Sequence, residues 1–435
     1  MSDLFDTPLS TSGVNVSTTS DKKKDDKKSA SASEPLASKI QYKFLSEEHE
    51  ALRFRLSHVD VSVANAIRRT LLSDIPINVI RTERKEGTDS VGTPDCNILV
   101  NTGRLTNEIL KHRLSLIPIY TKHLTSWSET DQLTWINKLP GRVELEVDVQ
   151  ADETLRYVTT EDFKLRVKSD DELVAAGSKK PQYLPTTVSQ QIFPKNAQTQ
   201  SFIEFARLRP KLGDAIPGEH LHLVAQFSIG TAKENSSFNV VSKCAYQNTQ
   251  REDVHEIWDK EKDKLSGLTA DELASKKKDF MCLDAQRHFV PDSFDFVVQT
   301  VGIYRNEELL HKACDVLTEK VLAFYDAVRD NQVLIRRSEA VSMENCYDVT
   351  LEQEDYTLGN LLTYLLLETY FFDGGREAKL SFCGFKKEHP HDDDSTLRMA
   401  FRESADETVV RECLKNVCGK AHAIFERVGR FFGNH

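Results

Sequence analysis

His389, Pro390, His391, Asp392, Asp393 and Asp394 put two imidazoles and three carboxylates into one short run. Such groups are ordinary ligands for zinc and related ions, so metal-dependent hydrolysis is one chemistry to weigh. Adjacent residues in one acidic loop rarely converge on a single ion, and the expectation is no metal. Asp292 and Asp295 flank aromatic residues in a strand-like run and lack the third close aspartate of a catalytic magnesium loop. None of the eight cysteines lies in a C-x-x-C pair, which argues for buried, reduced thiols over a structural zinc. The chain has no G-x-x-x-x-G-K-[ST] loop, no H-E-x-x-H helix and no G-x-S-x-G elbow. Recognition chemistry remains. Arg68 and Arg69 set two adjacent guanidinium groups beside an apolar stripe, and such groups can fork onto carboxylates or carbonyls of a partner. Two solvated surface arginines would read the same way.

Composition points the same way. With 435 residues, 39% hydrophobic and 29% charged, the chain can fold two or three ordinary domains. Its formal net charge of -11 disfavours tight direct DNA binding, which draws its affinity from phosphate neutralisation. No apolar run approaches the roughly 18 residues that a membrane span needs, and the N-terminus reads as no secretory signal. The expectation is a soluble, intracellular protein that binds other proteins.

The elements that carry these residues begin near Ile40. Residues 1–38 are rich in Ser, Thr, Lys and Asp and read as a disordered tail, with KKKDDKK either a solvated run or a nuclear localisation signal. IQYKFL and ALRFRL read as two strands. In the helix that follows, Ala64, Ile67, Leu71 and Ile75 recur at helical spacing, with Asp60 or Ser62 as cap and Pro76 as stop. INVIRTERKE reads as a strand and 105–114 as a short helix. VELEVDVQA and HLHLVAQFSIG alternate strictly, marking a β-rich insertion, and 251–285 is a charged, helix-prone excursion. FDFVVQTVGIY is a buried strand feeding a long helix with the stripe Leu310, Cys314, Leu317, Val321, Phe324 and Val328.

Residues 340–435 repeat the order strand, helix, strand, long helix. The helix at 357–372 carries Leu358, Leu361, Leu362, Leu365, Leu366, Leu367 and Phe371, more apolar surface than one sheet covers. Each buried leucine contributes roughly 1.5–3 kcal/mol, so a second element must pack on its far side. Two solutions fit: the halves pack as an intramolecular pseudo-dimer, or 340–435 folds around a thick core of its own. The last helix opens on Ser404-x-x-Glu407, a capping-box pattern, and carries a stripe from Val410 to Phe432.

VANAIRRTLLSDIP followed by NEILKHRLSLIPI resembles the signature of the alpha-like RNA polymerase subunits: the bacterial alpha N-terminal domain, the archaeal D subunit and the eukaryotic third-largest subunit. The resemblance continues through VELEVDVQADETLRYVTTEDF, GTAKENSSFNVVSKCAY and FDFVVQTVG. EDYTLGNLL and FCGFKKEHPH are similar to the archaeal L subunit and its small eukaryotic counterpart, the eleventh subunit. Together the matches touch nearly all of 40–435.

The resemblance implies an α+β fold of two dimerisation units, 39–120 plus 286–335 and 340–435, with a β-rich insertion at 121–285. It implies a non-catalytic assembly subunit of a DNA-directed RNA polymerase that binds the second-largest and largest subunits, with small zinc-binding subunits nearby. Magnesium would sit only in the catalytic subunits, and no separate L-type partner would be needed. Fusion of the two types resembles large DNA viruses of eukaryotes, which would place the chain in the virion and host cytoplasm, or the host nucleus. Residue by residue, Asn65, Arg68 and Arg69 match the large-subunit-binding helix. Ile67, Leu71, Leu358, Leu361, Leu362 and Leu365 would form the pairing interface. Glu108 and Arg113 match the second block, with an internal polar contact as their expected role. Asp355 and Thr357 would cap the helix they precede, Gly359 would allow close helix approach, and Asn360, His389 and Pro390 complete the L-type motif. Two departures stand out: SWSETDQLTWINKLPG lacks the cysteine-rich metal loop of many D-type relatives, and Tyr356 replaces a common histidine. A standalone viral structural or interaction protein on the same fold is the rival reading.

Overall fold

In ALRFRLS the odd positions are polar or small and the even ones are Leu52, Phe54 and Leu56, so a strand buries one face and wets the other. The structure, a computed structural model, describes residues 36–433 apart from 83–95, 122–138, 142, 168–181, 214, 266, 339–342 and 373–378. In chain order its main elements are α1 (Leu36–Lys39), β1 (Gln41–Glu48), β2 (Ala51–Ser57), α2 (Val61–Ser73), β3 (Ile77–Ile80), β4 (Cys96–Asn101), α3 (Asn107–Ser115), β5 (Val143–Gln150), β6 (Arg156–Thr159), β7 (Lys164–Val167), β8 (Gln182–Tyr183), α4 (Thr186–Ile192), β9 (Glu204–Leu208), β10 (His220–Gly230), β11 (Val241–Gln250), α5 (Val254–Asp263), α6 (Ala270–Cys282) and β12 (Phe289–Thr300). Then come α7 (Asn306–Arg329), β13 (Ile335–Arg337), β14 (Cys346–Leu351), α8 (Tyr356–Tyr370), β15 (Leu380–Lys386), β16 (Ser395–Phe401) and α9 (Glu407–Arg430).

Two antiparallel sheets share one plan. The first has the order β1-β2-β12-β11 and the second β13-β14-β16-β15, so each runs first, second, fourth, third. Each unit is therefore hairpin, helix, hairpin, long helix: β1-β2, α2, β11-β12, α7 in one, and β13-β14, α8, β15-β16, α9 in the other. The correspondence reaches single residues. Glu50 and Asn345, then His58 and Gln353, are left-handed at equivalent turns (φ 62°, 51°, 61° and 55°). Asp60 caps α2 by accepting from the Ser62 N–H at 2.7 Å, and Asp355 caps α8 by accepting from the Thr357 N–H at 2.8 Å.

The units pack like on like. α7 lies against α9 and α2 against α8, the isologous pattern of a two-fold pair. One continuous core includes Phe54, Phe296, Leu310, Leu317 and Val321 of the first unit and Val349, Leu362, Leu397, Val417 and Phe425 of the second. That settles the choice left open by the leucine-rich helix: its far side is covered by α2. Gly429 helps α9 come close to α7, since a Cβ there would lie 3.3 Å from that of Cys314. Phe431 and Phe432 carry the end of α9 onto Tyr42, with ring centroids 5.7 and 5.2 Å away.

Several expectations need correction. The insertion takes more of the chain than 121–285 on its amino-terminal side and less on the other. β3 and β4 both pair with β10, and Ile80, Cys96, Leu110, Leu114, Ile117 and Ile119 join the insertion's separate core. β11, expected in the insertion, is an edge strand of the first unit's sheet. Strand pairing across such long sequence separations leaves no local signature. The described residues begin at Leu36, where α1, inside the expected tail, packs on α9; the rest of that tail lies outside them. The last helix is capped by Asp406, which accepts from the Val409 N–H at 3.0 Å, and not by Ser404. The excursion forms α5 and α6 around a small core of Val254, Trp258, Phe280 and Ala285.

Candidate functional site

α2 exists because Val63, Ala64, Ile67 and Leu71 bury one stripe while Asp60 satisfies its first turn. The polar face of that helix carries Asn65, Arg68 and Arg69, all half-buried. Their guanidinium groups part company. Arg68 is held flat on its own helix: Nε and Nη2 donate to Asn65 Oδ1 at 3.1 and 2.9 Å. It lies close enough to Cys244 and Tyr246 of β11 to draw their pKa values down, against the larger upward push of burial. Val61, half exposed, borders this face.

Arg69, expected to reach an external partner, turns instead into the chain. Its Nε donates to Thr357 Oγ1 at 2.9 Å and its Nη2 to Asp355 Oδ2 at 2.5 Å. Adjacent helical residues point about 100° apart, so one arginine follows the outer face while the next reaches the start of α8. Burial pushes the Asp355 carboxyl upward; hydrogen bonds from the Thr357 backbone and side chain, with Arg69, outweigh it and leave the group below the usual aspartate range. A second contact stands beside it. Lys320 Nζ of α7 donates to Asp74 Oδ2 at the end of α2, 2.6 Å away. Burial lowers the Lys320 pKa, but Glu354, Asp74 and Asp355 raise it further. Glu354 itself is pushed up, first by burial, with Asp355 and Asp74 adding to that and Lys320 and Lys233 opposing it. Asp74, Lys320 and Glu354 escaped the sequence reading; nothing local marks them, for Lys320 lies inside a long helix and Glu354 follows Glu352 in an acidic loop.

The remaining candidates fall into place around these. Ile67, Leu71, Leu358, Leu361, Leu362 and Leu365 are all buried in the shared core. Gly359 faces a strand and not a helix: a Cβ there would sit 2.1 Å from the ring of Phe385 on β15. Tyr356 packs edge-on against the same ring, at 5.2 Å. Asn360 is exposed. Arg113 donates to the carbonyls of Phe205 and Glu204 at 2.8 Å each, pinning α3 to β9, while Glu108 stays at the exposed start of α3.

His389 and Pro390 lie in an exposed turn, where the Asp392 N–H donates to the His389 carbonyl and the His391 N–H to His389 Nδ1. Asp394 accepts from the Gln353 N–H at 3.1 Å, so the acidic run holds the loop that leads into α8. Among the described residues no three His, Cys, Asp or Glu side chains are grouped to hold a metal ion, and the stretch at 126–141 lies mostly outside them. Asp295 pairs with Arg55 at 2.6 Å and Asp292 with His58 at 2.9 Å. Seven cysteines are buried, with the thiols of Cys244, Cys383 and Cys418 pushed up to about 12 by desolvation; Cys282 is exposed. No described helix is long and apolar enough to cross a membrane.

Comparison with known proteins agrees with this division. The profile of the RNA polymerase Rpb3/Rpb11 dimerisation domain matches residues 53–321, and a second profile of the same description matches 346–430. Subunit 3B of the DNA-directed RNA polymerases IV and V of Arabidopsis thaliana is 25% identical over 319 residues, covering 65% of this chain and 88% of that protein. The rpac1 subunit of RNA polymerases I and III of Dictyostelium discoideum is 23% identical, covering 63% and 78%. The archaeal subunit Rpo3 of Thermococcus kodakarensis is 33% identical over 84 residues, only 19% of this chain and 27% of that relative.

Proposed function

The chain belongs to the RNA polymerase Rpb3/Rpb11 dimerisation-domain family, and from that premise we propose that it is a non-catalytic assembly subunit of a multisubunit DNA-directed RNA polymerase, with both partners of the pair in one polypeptide. The observation that carries this reading is the shared core. Two units of one strand order bury their helices against each other, and the half-buried edge of α2 with Val61, Asn65 and Arg68 is the surface we assign to a third protein. Covalent linkage makes the pairing intramolecular, with a high effective concentration, and removes one bimolecular step from assembly. The platform would bind the second-largest and then the largest catalytic subunit, which hold the magnesium ions, with small zinc-binding subunits docking nearby. A fused pair suits a large DNA virus, working in the virion and host cytoplasm or in the host nucleus.

On the docking face, Asn65 fixes the Arg68 guanidinium and leaves its remaining N–H groups for a carboxylate or carbonyl of the second-largest subunit. Arg69 is not part of that contact; it serves the internal pair. The test is co-purification of tagged chain with the two large subunits. Arg68→Glu should cut capture of the second-largest subunit by about tenfold or more while melting within about 2 °C of wild type. Full capture by that variant would overturn the assigned face, and absence of both large subunits from the wild-type complex would overturn the function.

A further inference from the structure

Because the helix contacts are like on like, the apolar stripes of these helices do not by themselves tell a first unit to choose a second. Ile67 and Leu71 on α2 stand where Leu362 and Leu366 stand on α8, and all four are buried. Leu310, Cys314, Leu317 and Val321 on α7 correspond to Val410, Leu414, Val417 and Ala421 on α9. Two first units from separate copies could set equivalent stripes against each other, and so could two second units. Something else must make the pairing unlike.

The polar corners differ. Each corner is formed by the helix side of one unit and the loop before the cap of the other. On the first unit's helix side stand Arg69, Lys320 and, near the end of α2, Lys233, against one carboxylate, Asp74. Opposite lie Glu354 and Asp355 of the second unit. The equivalents at the other corner are weak. Tyr364 stands for Arg69, and Lys420, which donates to Thr369 Oγ1 at 2.9 Å, stands for Lys320. Glu368 joins them, and the opposing side carries Asp60 and Asp292, the latter paired with His58, with Val59 in place of Glu354. Thus the more cationic helix side meets the more acidic loop, and the weak side meets the weak loop.

We propose that this corner, Arg69 and Lys320 against Asp355 and Glu354, is the element that selects pairing between the two unlike halves of one chain over pairing of like halves between copies. The inference rests on the paired-platform reading, but it concerns the choice of partner half and needs no other polymerase subunit. Coulomb energy is a product of charges, so matching strong with strong and weak with weak gains more than two mismatched corners. Two first units would leave Lys320 facing Val59. Two second units would set the acidic loop against Tyr364, with no arginine at all. Lys320 and Lys233 oppose the larger upward push of burial on Glu354, and Arg69 adds to the Thr357 hydrogen bonds that lower Asp355.

The test uses the full chain carrying two different affinity tags, co-expressed, with cross-capture and light-scattering mass as readouts. Wild type should be monomeric with background cross-capture; efficient cross-capture by wild type would overturn the proposal. Arg69→Glu with Lys320→Glu should raise cross-capture at least about tenfold and shift the mass toward dimer. Adding Glu354→Gln and Asp355→Asn removes the new like-charge contacts and keeps a capping oxygen, so it should return the chain to monomer. A merely local role for the cap predicts the opposite, a fourfold variant worse than the double. Should the reversed variant not fold, Arg69→Met with Lys320→Met reads the same corner without repulsion. That pair should melt roughly 5 °C lower and show measurable cross-capture; wild-type values for both would sink the idea.

Discussion

Asp60 opens α2 and Asp355 opens α8 with the same hydrogen bond, and five residues further on each helix carries an asparagine, Asn65 and Asn360. Beyond that the two helices diverge. α2 continues with Arg68 and Arg69, α8 with Thr363 and Tyr364. The first unit places one guanidinium along its own helix and the other on the cap of α8, while the second has a threonine and an aromatic ring at the same positions. One backbone plan therefore carries two different polar surfaces, because the core positions are shared and the polar positions are not. The insertion sharpens the contrast: the first unit splits its two hairpins around a separate domain, whereas the second runs uninterrupted from β13 to α9.

The equivalence of the cores is the part easiest to break. Leu362 and Ile67 are both fully buried. Leu362→Asp and Ile67→Asp should each abolish folding, since an unpaired buried carboxylate costs well over about 5 kcal/mol before it is protonated or drives local opening. Denaturant melting of both variants checks this. A soluble, cooperatively folded Leu362→Asp chain beside an unfolded Ile67→Asp would show that α8 is not embedded as α2 is.

The caps should behave unequally. Asp60→Ala removes a cap alone, a loss of about 1 kcal/mol. Asp355→Ala removes a cap and strands Arg69, for about 3 kcal/mol. Equal losses in chemical denaturation would mean that the Arg69 contact contributes nothing to the pairing of the halves.

What the sequence made legible follows from locality. Helical stripes such as Leu310 to Val328 repeat within a few residues, and each was recoverable from periodicity. So was the need for a second cover over α8, because Leu358, Leu361, Leu362 and Leu365 exceed what one sheet can hide. The assignment of β3 to the insertion was not recoverable, for its partner β10 lies far along the chain. Nor was the parting of Arg68 from Arg69, which depends on where the start of α8 sits. The constant spacing between Asp60, Asn65, Leu71 and Asp355, Asn360, Leu366 was in plain view, and it would have exposed Glu354 as the odd neighbour of a cap whose equivalent is Val59.

The smallest effect separates the two neighbouring carboxylates of that loop by pH. Asp355 titrates below its unfolded value of about 3.9, so the folded state binds its proton less readily. Its contribution is present above that pH and lost as pH falls through the folded value. Glu354 has the opposite sign: its folded pKa lies above the unfolded value of about 4.3, so the folded state binds the proton more readily and gains stability as pH falls toward that value. Glu354→Gln should therefore match or slightly exceed wild-type stability near neutrality, by up to about 1 kcal/mol, and lose that advantage as pH drops toward 4. Asp355→Asn should be less stable than wild type near neutrality and converge with it below about pH 4, where the native carboxyl is protonated. Urea midpoints at several pH values measure both. If the two variants shift the acid limb in the same direction, the loop does not hold one carboxylate ionised by the Thr357 hydrogen bonds and Arg69 while burial pushes the other up, and the contrast between its members fails.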